Sequence, residues 1–383
     1  MNSQQPDKPG ARNTSPPCCS PNPVSLTPLD SPDTPADQPW TVGRVTVGGR
    51  PVPRVATTLG WRDRLGSWKV RWGIGRMNYR VPPGLYAVGR PDDASPVLVS
   101  ANYKMSFDRL RAMLGGFDVW LLVIDTRGVN VWCAAGKGTF GSDEIINRIK
   151  AVGLETLVAH RKLVVPQLGG SGVSARRVRD ATGFSVRYGP VRAEDIPAFL
   201  QSRMKATASM RRVRFTFGDR LVLIPIELVP ATRWAVAAAV VLGLLSGVDG
   251  LSYSLDRLLA AGPAAAMAIA IGIWVGASVP AALLPWIPGR AFAFKGALVG
   301  LIYALILSWL APHLLDSTWA AAGWTLMITA ACSYFAMNFT GCSTFTSLSG
   351  VLKEMRYALP LQVIGGVLGL ILWIVGQLIG RAP

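Results

Sequence analysis

The chain has 383 residues, 50% of them apolar and only 16% charged, with a mean hydropathy of +0.33, which excludes a disordered protein and argues against one ordinary soluble domain. Charge is unevenly divided: residues 1–233 hold 33 of the 39 Lys and Arg and 18 of the 22 Asp and Glu, a net of +15, against 6 and 4 beyond them. Such a balance fits either nucleic acid or an anionic membrane surface, where each basic side chain gains about 1 kcal/mol, and the apolar second half selects the membrane over nucleic acid.

In chain order, residues 1–39 are crowded with Pro, Ser, Asp and Thr and read as a disordered tail with no apolar secretory core. Residues 40–230 have the size and mixed polarity of one cytosolic domain. Buried strands are predicted at 97–99, 119–124, 163–165 and 184–188, with helices at 106–114 and 143–152 capped by Ser106 and Ser142. Strand, loop and helix in alternation predict an α/β domain with a mostly parallel, Rossmann- or flavodoxin-like sheet. Residues 231–383 read as an all-α transmembrane domain. Its apolar runs, at 234–251, 263–287, 291–311, 319–339 and 359–379, each approach the ~20 residues of a spanning helix. Arg211, Arg212, Arg214, Arg220 and Arg233 precede the first run, and Arg290 with Lys295 and Lys353 with Arg356 fall on the same side. A multi-pass protein of the cytoplasmic membrane is predicted, with the α/β domain inside and the C-terminus outside.

The five cysteines, Cys18, Cys19, Cys133, Cys332 and Cys342, show no repeated spacing, so neither a disulfide framework nor a CxxC zinc site is written here. With only His160 and His313, a histidine-rich metal centre is also disfavoured. The informative segment is Asn130-Val131-Trp132-Cys133-Ala134-Ala135-Gly136-Lys137-Gly138-Thr139-Phe140, just after the strand predicted to end near Asp125. Ligands of open α/β sheets bind at the carboxyl ends of strands, and Ala134, Ala135 and Gly136 would let a flat ligand approach the backbone. Cys133 is there either a nucleophile, a metal ligand or a small buried residue. Gly136-Lys137-Gly138-Thr139 is not a phosphate loop, because the first Gly of that motif is missing and Gly138 separates Lys137 from Thr139.

This segment resembles the signature of the HgcA family of mercury-methylating corrinoid proteins, whose corrinoid domain is similar to the large subunit of the corrinoid iron-sulfur protein. The likeness extends through Pro83-Gly84-Leu85-Tyr86, Ser95-Pro96-Val97-Leu98, Ser100-Ala101-Asn102-Tyr103-Lys104, Phe107-Asp108-Arg109, Pro166-Gln167-Leu168 and Tyr188-Gly189-Pro190. The resemblance implies that residues 130–137 form a cap helix beneath the corrin ring, that Cys133 supplies a thiolate to cobalt, and that Ser100, Asn102 and Tyr103 bind the corrin periphery. It implies a corrinoid-dependent methyltransferase acting on Hg(II), with a tetrahydrofolate-linked methyl donor. It also implies a ferredoxin-like partner of the HgcB type bearing two 4Fe-4S clusters, since no cluster cysteines occur in this chain.

Other signals carry two readings each. Cys18-Cys19 suits a soft ion such as Hg(II), or is incidental to a tail. Gly169-Gly170-Ser171-Gly172 lines the ligand or makes a tight turn. Cys332, in the fourth span, and Cys342, in the loop after it, relay mercury or, as small residues, pack between helices. The rival functions are a corrinoid methyl carrier with another acceptor and, from a different class, a transporter with a regulatory domain, against which stands the scarcity of ionisable residues in the spans.

Overall fold

The structure, a computed structural model, describes residues 37–250, 252–339 and 348–379; Cys18, Cys19, Cys342 and residues 340–347 lie outside them. Two compact units are present, one made of residues up to Ser67 with Gly75–Arg212, the other of Trp68–Ile74 with residues from Val213 onward.

The first unit opens with a hairpin of β1 (Thr41–Val47) and β2 (Arg50–Val55), followed by α1 (Trp61–Arg71) and β3 (Gly84–Val88). The hairpin turn is Gly48-Gly49, with φ of +56° and +79°, the left-handed pair that matches strand twist in a two-residue turn. Then follow β4 (Val97–Ala101), α2 (Lys104–Ala112), β5 (Val119–Ile124), α3 (Val131–Gly136), α4 (Ser142–Ala151) and α5 (Leu154–Leu157). β6 (Lys162–Val165), α6 (Ala175–Thr182), β7 (Ser185–Tyr188) and α7 (Ile196–Gln201) complete it. Seven strands lie in the order β1-β2-β3-β5-β4-β6-β7; β4 to β7 are mutually parallel, and β3 runs antiparallel to β5. Residues of β4 and β5 are buried on both faces, which is why they read as unbroken apolar runs. Val97, Val99, Trp120 and Leu122 pack with Ile145, Ile149 and Val178 of α4 and α6; Leu98, Leu121 and Val123 pack with Phe107 and Phe199 of α2 and α7.

Two predicted caps are displaced. The second helix begins at Lys104 rather than 106, because its cap is Tyr103, whose backbone carbonyl accepts from Phe107 N, and no side chain announces it. Ser142 is inside α4, whose cap is Gly141, and its Oγ accepts instead from Ser174 N at 2.8 Å, ahead of α6.

The second unit contains α8 (Phe217–Leu221), α9 (Ile224–Leu245), a short β8 (Val248–Asp249) and β9 (Ser252–Tyr253) pair, then α10 (Leu255–Ala282), α11 (Phe292–Leu310), α12 (Thr318–Asn338) and α13 (Leu348–Ile379). Among the described residues, five helical stretches are long and apolar enough to cross a membrane. The first begins well before 234, its helix continuing through Pro225 in the first turn and Pro230 inside, and it ends at Leu245, so the predicted run covers its later part and then overshoots into β8. Lys295, grouped with the basic loop residues above, lies in α11, and its Nζ donates to the carbonyls of Leu284 (2.8 Å) and Ile287.

These helices meet backbone to backbone. A Cβ on Gly296 would lie 2.5 Å from Cys332 O, and one on Gly323 2.7 Å from Gly369 O. Cys332 is fully buried between Gly272, Gly276 and Gly300, and its Sγ donates to Gly272 O at 3.1 Å. Its side chain is thus packed where small residues let helix backbones approach closely.

Candidate functional site

The site is built at the carboxyl ends of β4, β5 and β6. β5 ends at Ile124, and the chain must turn from a fully buried strand into α3 within six residues. Asn102, at the end of the neighbouring β4 and 3% exposed, organises that turn. Its Oδ1 accepts from the backbone N–H of Thr126 (3.0 Å) and of Gly128 (2.9 Å), and its Nδ2 donates to Asp125 Oδ1 (2.8 Å). The Thr126 hydroxyl donates to Val129 O at 2.6 Å. Asp125 Oδ1 also accepts from Arg127 N (2.8 Å), which holds Arg127 at a left-handed φ of +58°. From the far side, Glu144 of α4 accepts from Asp125 N at 3.0 Å and is itself gripped by Arg148.

Asn130 then caps α3: its side chain accepts from Cys133 N at 2.9 Å, which fixes the first turn. Six residues are too few for a helix to persist alone, so its stability must come from what lies beneath. Ala134 and Ala135 are buried, Val131 is half-buried against the core, and Phe140 is fully buried. Under them runs the glycine segment after β6. A Cβ on Gly169 would lie 2.5 Å from the Phe140 ring, and one on Gly172 would collide with Phe140 O and reach Ala135 O at 3.1 Å. The glycines are thus needed for backbone to pass directly below α3. Tyr188, at the end of β7, closes this support by donating to Val173 O at 2.7 Å; burial pushes its phenol pKa up.

With its lower face fixed, α3 presents Trp132, Cys133, Gly136 and Lys137 outward, all exposed, residues one turn apart on one face. No atom comes within 4 Å of a Cβ built on Gly136 or Gly138, so the surface beside the thiol is low and open. A soft donor on a rigid, shallow platform can bind the face of a flat ligand that carries a soft metal.

The other expected ligand residues are placed differently. Ser100 is buried with its Oγ donating to Ala101 O at 3.2 Å, and Tyr103 is buried at the start of α2. Asn102 is bonded within the protein, to the loop that carries Cys133. Sequence reasoning did not single out Asp125, Thr126 or Glu144; the Arg127-Gly128 left-handed pair was the available signal.

Beside this loop lies a buried charge cluster. Lys104 bonds Asp63 and Asp108 at 2.6 Å each, and Arg111, with 0% exposure, bonds Asp63 and Asp108 at 2.8 Å each. Burial works against the Asp63 carboxylate, yet Lys104 and Arg111 hold its pKa below the ordinary value. Burial and the neighbouring Asp108 push the Tyr79 pKa up to about 12.

Residues 75–200 match the family described as CdhD, CO dehydrogenase/acetyl-CoA synthase delta subunit. Among curated relatives, the acetyl-CoA decarbonylase/synthase complex subunit gamma of Methanopyrus kandleri is 37% identical over 123 residues, covering 32% of this chain and 26% of the relative. That of Archaeoglobus fulgidus is 31% identical over 128 residues, 33% and 27% of the two chains. The corrinoid/iron-sulfur protein large subunit of Moorella thermoacetica is 27% identical over 148 residues, 38% and 31%. The chain spans about a quarter of the length of the gamma subunits it matches. Its α/β unit thus carries a domain like one in these subunits; α8 to α13 lie beyond the family match.

Proposed function

We propose that this protein is a membrane-anchored, corrinoid-dependent methyltransferase whose acceptor is inorganic Hg(II), giving methylmercury. The observation that carries the reading is Cys133, an exposed thiol on a buttressed helix at the carboxyl end of the parallel strands of a mixed sheet, inside the region similar to corrinoid-protein subunits. The residues fit the group: the donor is soft, and the ground beside it, at Gly136 and Gly138, is open. Bound there, a corrinoid supplies a cobalt centre that takes up a methyl group and passes it on, and an anionic sulfur donor favours its release to a soft metal ion.

The remaining work falls to this chain's own residues. Cys133 holds the cobalt, and Asn130 fixes that residue's backbone. Asn102, through Thr126 and Gly128, positions the loop that delivers the helix, while Gly169 and Gly172 set its depth. Val131, Ala134 and Ala135 form its base, and Trp132, Gly136 and Lys137 border the ligand. Ser100 and Tyr103 shape the floor beneath the neighbouring strand end. The pair Cys18-Cys19 is a candidate for presenting mercury. Because the chain's cysteines lack cluster spacing, electrons must come from a partner, for which a ferredoxin-like protein with two 4Fe-4S clusters is proposed, with a tetrahydrofolate-linked methyl donor. The α/β unit is assigned to the cytosolic side of the cytoplasmic membrane and the C-terminus to the outside.

A second reading, a membrane-anchored methyl carrier serving acetyl-CoA synthesis, is favoured by the names of the relatives, which are acetyl-CoA decarbonylase/synthase subunits. The five apolar helices favour mercury, since the resemblance to HgcA includes such a domain.

The test is formation of isotopically labelled methylmercury by anaerobic lysate containing the full chain and the ferredoxin partner, comparing wild type with Cys133→Ala at equal protein and corrinoid loading. Activity lost in the variant supports the reading. Full activity in Cys133→Ala removes the thiolate mechanism, and label entering acetyl-CoA with none on mercury moves the assignment to the second reading.

A further inference from the structure

The function above makes no use of α1. At about 100° per residue, Trp61, Leu65 and Trp68, with Trp72 just past the helix end, fall within about 40° of one line. Trp61 is 69% exposed and Trp68 56%, and Leu65 is exposed between them. Arg62 and Lys69 flank this line on one side, Arg64 and Arg71 on the other. The back of the helix is taken up by protein: Asp63 is ion-paired with Lys104 and Arg111, a Cβ on Gly66 would lie 2.5 Å from Tyr79 Oη, and Val70 is buried. Ile74 and Met77 extend the exposed apolar surface beyond the helix.

A tryptophan line between two rows of cations is poorly suited to water and well suited to the boundary of an anionic bilayer. Indole rings settle at headgroup depth, and long basic side chains reach sideways to phosphates. Continuity with a membrane helix supports the same occupant: within the second unit, a Cβ on Gly73 would lie 3.9 Å from Val229 Cγ1, and Val229 belongs to the apolar stretch Phe217–Leu245.

We infer that α1 is an in-plane anchor that lies in the headgroup layer of an anionic leaflet through Trp61, Leu65 and Trp68. The inference rests on the reading that the apolar helices span a bilayer, and the experiment separates the two.

The full chain, with Cys18, Cys19, Cys133 and Cys342 replaced by Ser, is placed in nanodiscs of phosphatidylcholine with a minority of phosphatidylglycerol. Spin labels are attached singly through Trp61→Cys, Leu65→Cys, Trp68→Cys and Lys69→Cys, with Leu305→Cys, 70% exposed on α11, as the bilayer control. Power saturation by oxygen and by a polar nickel chelate reads depth. Labels at 61, 65 and 68 are expected to favour oxygen several-fold, with Lys69 near parity and Leu305 deepest. Aqueous readings at 61, 65 and 68 with a deep Leu305 overturn the anchor alone. Shielding from both reagents means that protein covers the strip and also overturns it. An aqueous Leu305 overturns the spanning reading, and the anchor with it.

Discussion

The two units reach a fixed geometry by opposite means. In the α/β unit, segments far apart in sequence are joined by hydrogen-bonded buried polar groups: Asn102 to the loop 125–128, and Lys104 and Arg111 to Asp63. In the helical unit, fixed contacts come from side chains left out, at Gly276, Gly296, Gly323 and Gly369. Water-exposed loops need directional bonds to choose one conformation, whereas preformed helices need only close approach. The difference teaches which substitutions each unit will not bear.

The comparison breaks most readily at Arg111. Arg111→Met leaves Asp63 and Asp108 short of a guanidinium inside the protein, and a loss of about 3–5 kcal/mol is expected in denaturant unfolding of the α/β unit. A loss below about 1 kcal/mol would mean the cluster is not what holds α1 and α2 together. Next comes Asn102→Ala, which strands two backbone N–H groups and should cost about 2–4 kcal/mol. Faster amide exchange confined to residues 126–133, with Cys133 alkylated over a wider spread of rates, is the local signature; unchanged exchange there would sink the positioning role.

In the helical unit the sharper probe is Gly296→Val. The added atoms meet Cys332 O, the Ala336 Cβ and the Ser333 Cα, of which two are main-chain atoms that cannot rotate away. About 1–3 kcal/mol is expected in unfolding from mixed detergent micelles, and a neutral result would show that α11 and α12 can separate without penalty. Acid supplies a milder probe, aimed at Asp63 in the first unit. Because the folded Asp63 carboxyl sits below its unfolded value, its contribution is present above about pH 4 and is lost as pH falls through the lower, folded value. Thermal midpoints measured from neutral pH down to acid should fall more steeply in wild type than in Asp63→Asn. Parallel curves would remove Asp63 from the account. The smallest effect belongs to Cys332→Ala, about 1 kcal/mol or less, since the hole is small and only one weak sulfur bond is lost; a collapse of the helical unit would contradict its role as filler.

How much of this was legible in sequence depended on range. β4 and β5 were readable because burial on both faces leaves runs of Val, Leu, Ile and Ala, and the apolar helices because their composition is apolar all round. β3 was not, since five residues of Gly-Leu-Tyr-Ala-Val carry little pattern, and the β1–β2 hairpin went unpredicted despite Gly48-Gly49. α3 is too short to show periodicity, so its place came from the family likeness around Cys133. The role of Asn102 could not be read at all: its partners Thr126 and Gly128 are 24 and 26 positions away, and only the fold brings them to it. The apolar line of α1 was present at helical spacing but hidden among arginines.

The interleaving of the two units bears on how the chain is made. Residues 68–74 group with residues from 213 onward, although the bulk of the α/β unit is translated between them. With about 150 residues separating Gly73 from Val229, and synthesis at about 5–20 residues per second, the tryptophan-bearing segment emerges from the ribosome roughly 8–30 s before the helix it will meet. For that interval Gly73 lacks Val229, and Trp68 and Trp72 have only each other's rings for company. If α1 anchors in lipid as inferred above, a nascent chain delivered early to a bilayer would seat these rings there, whereas one released late would carry them exposed in water.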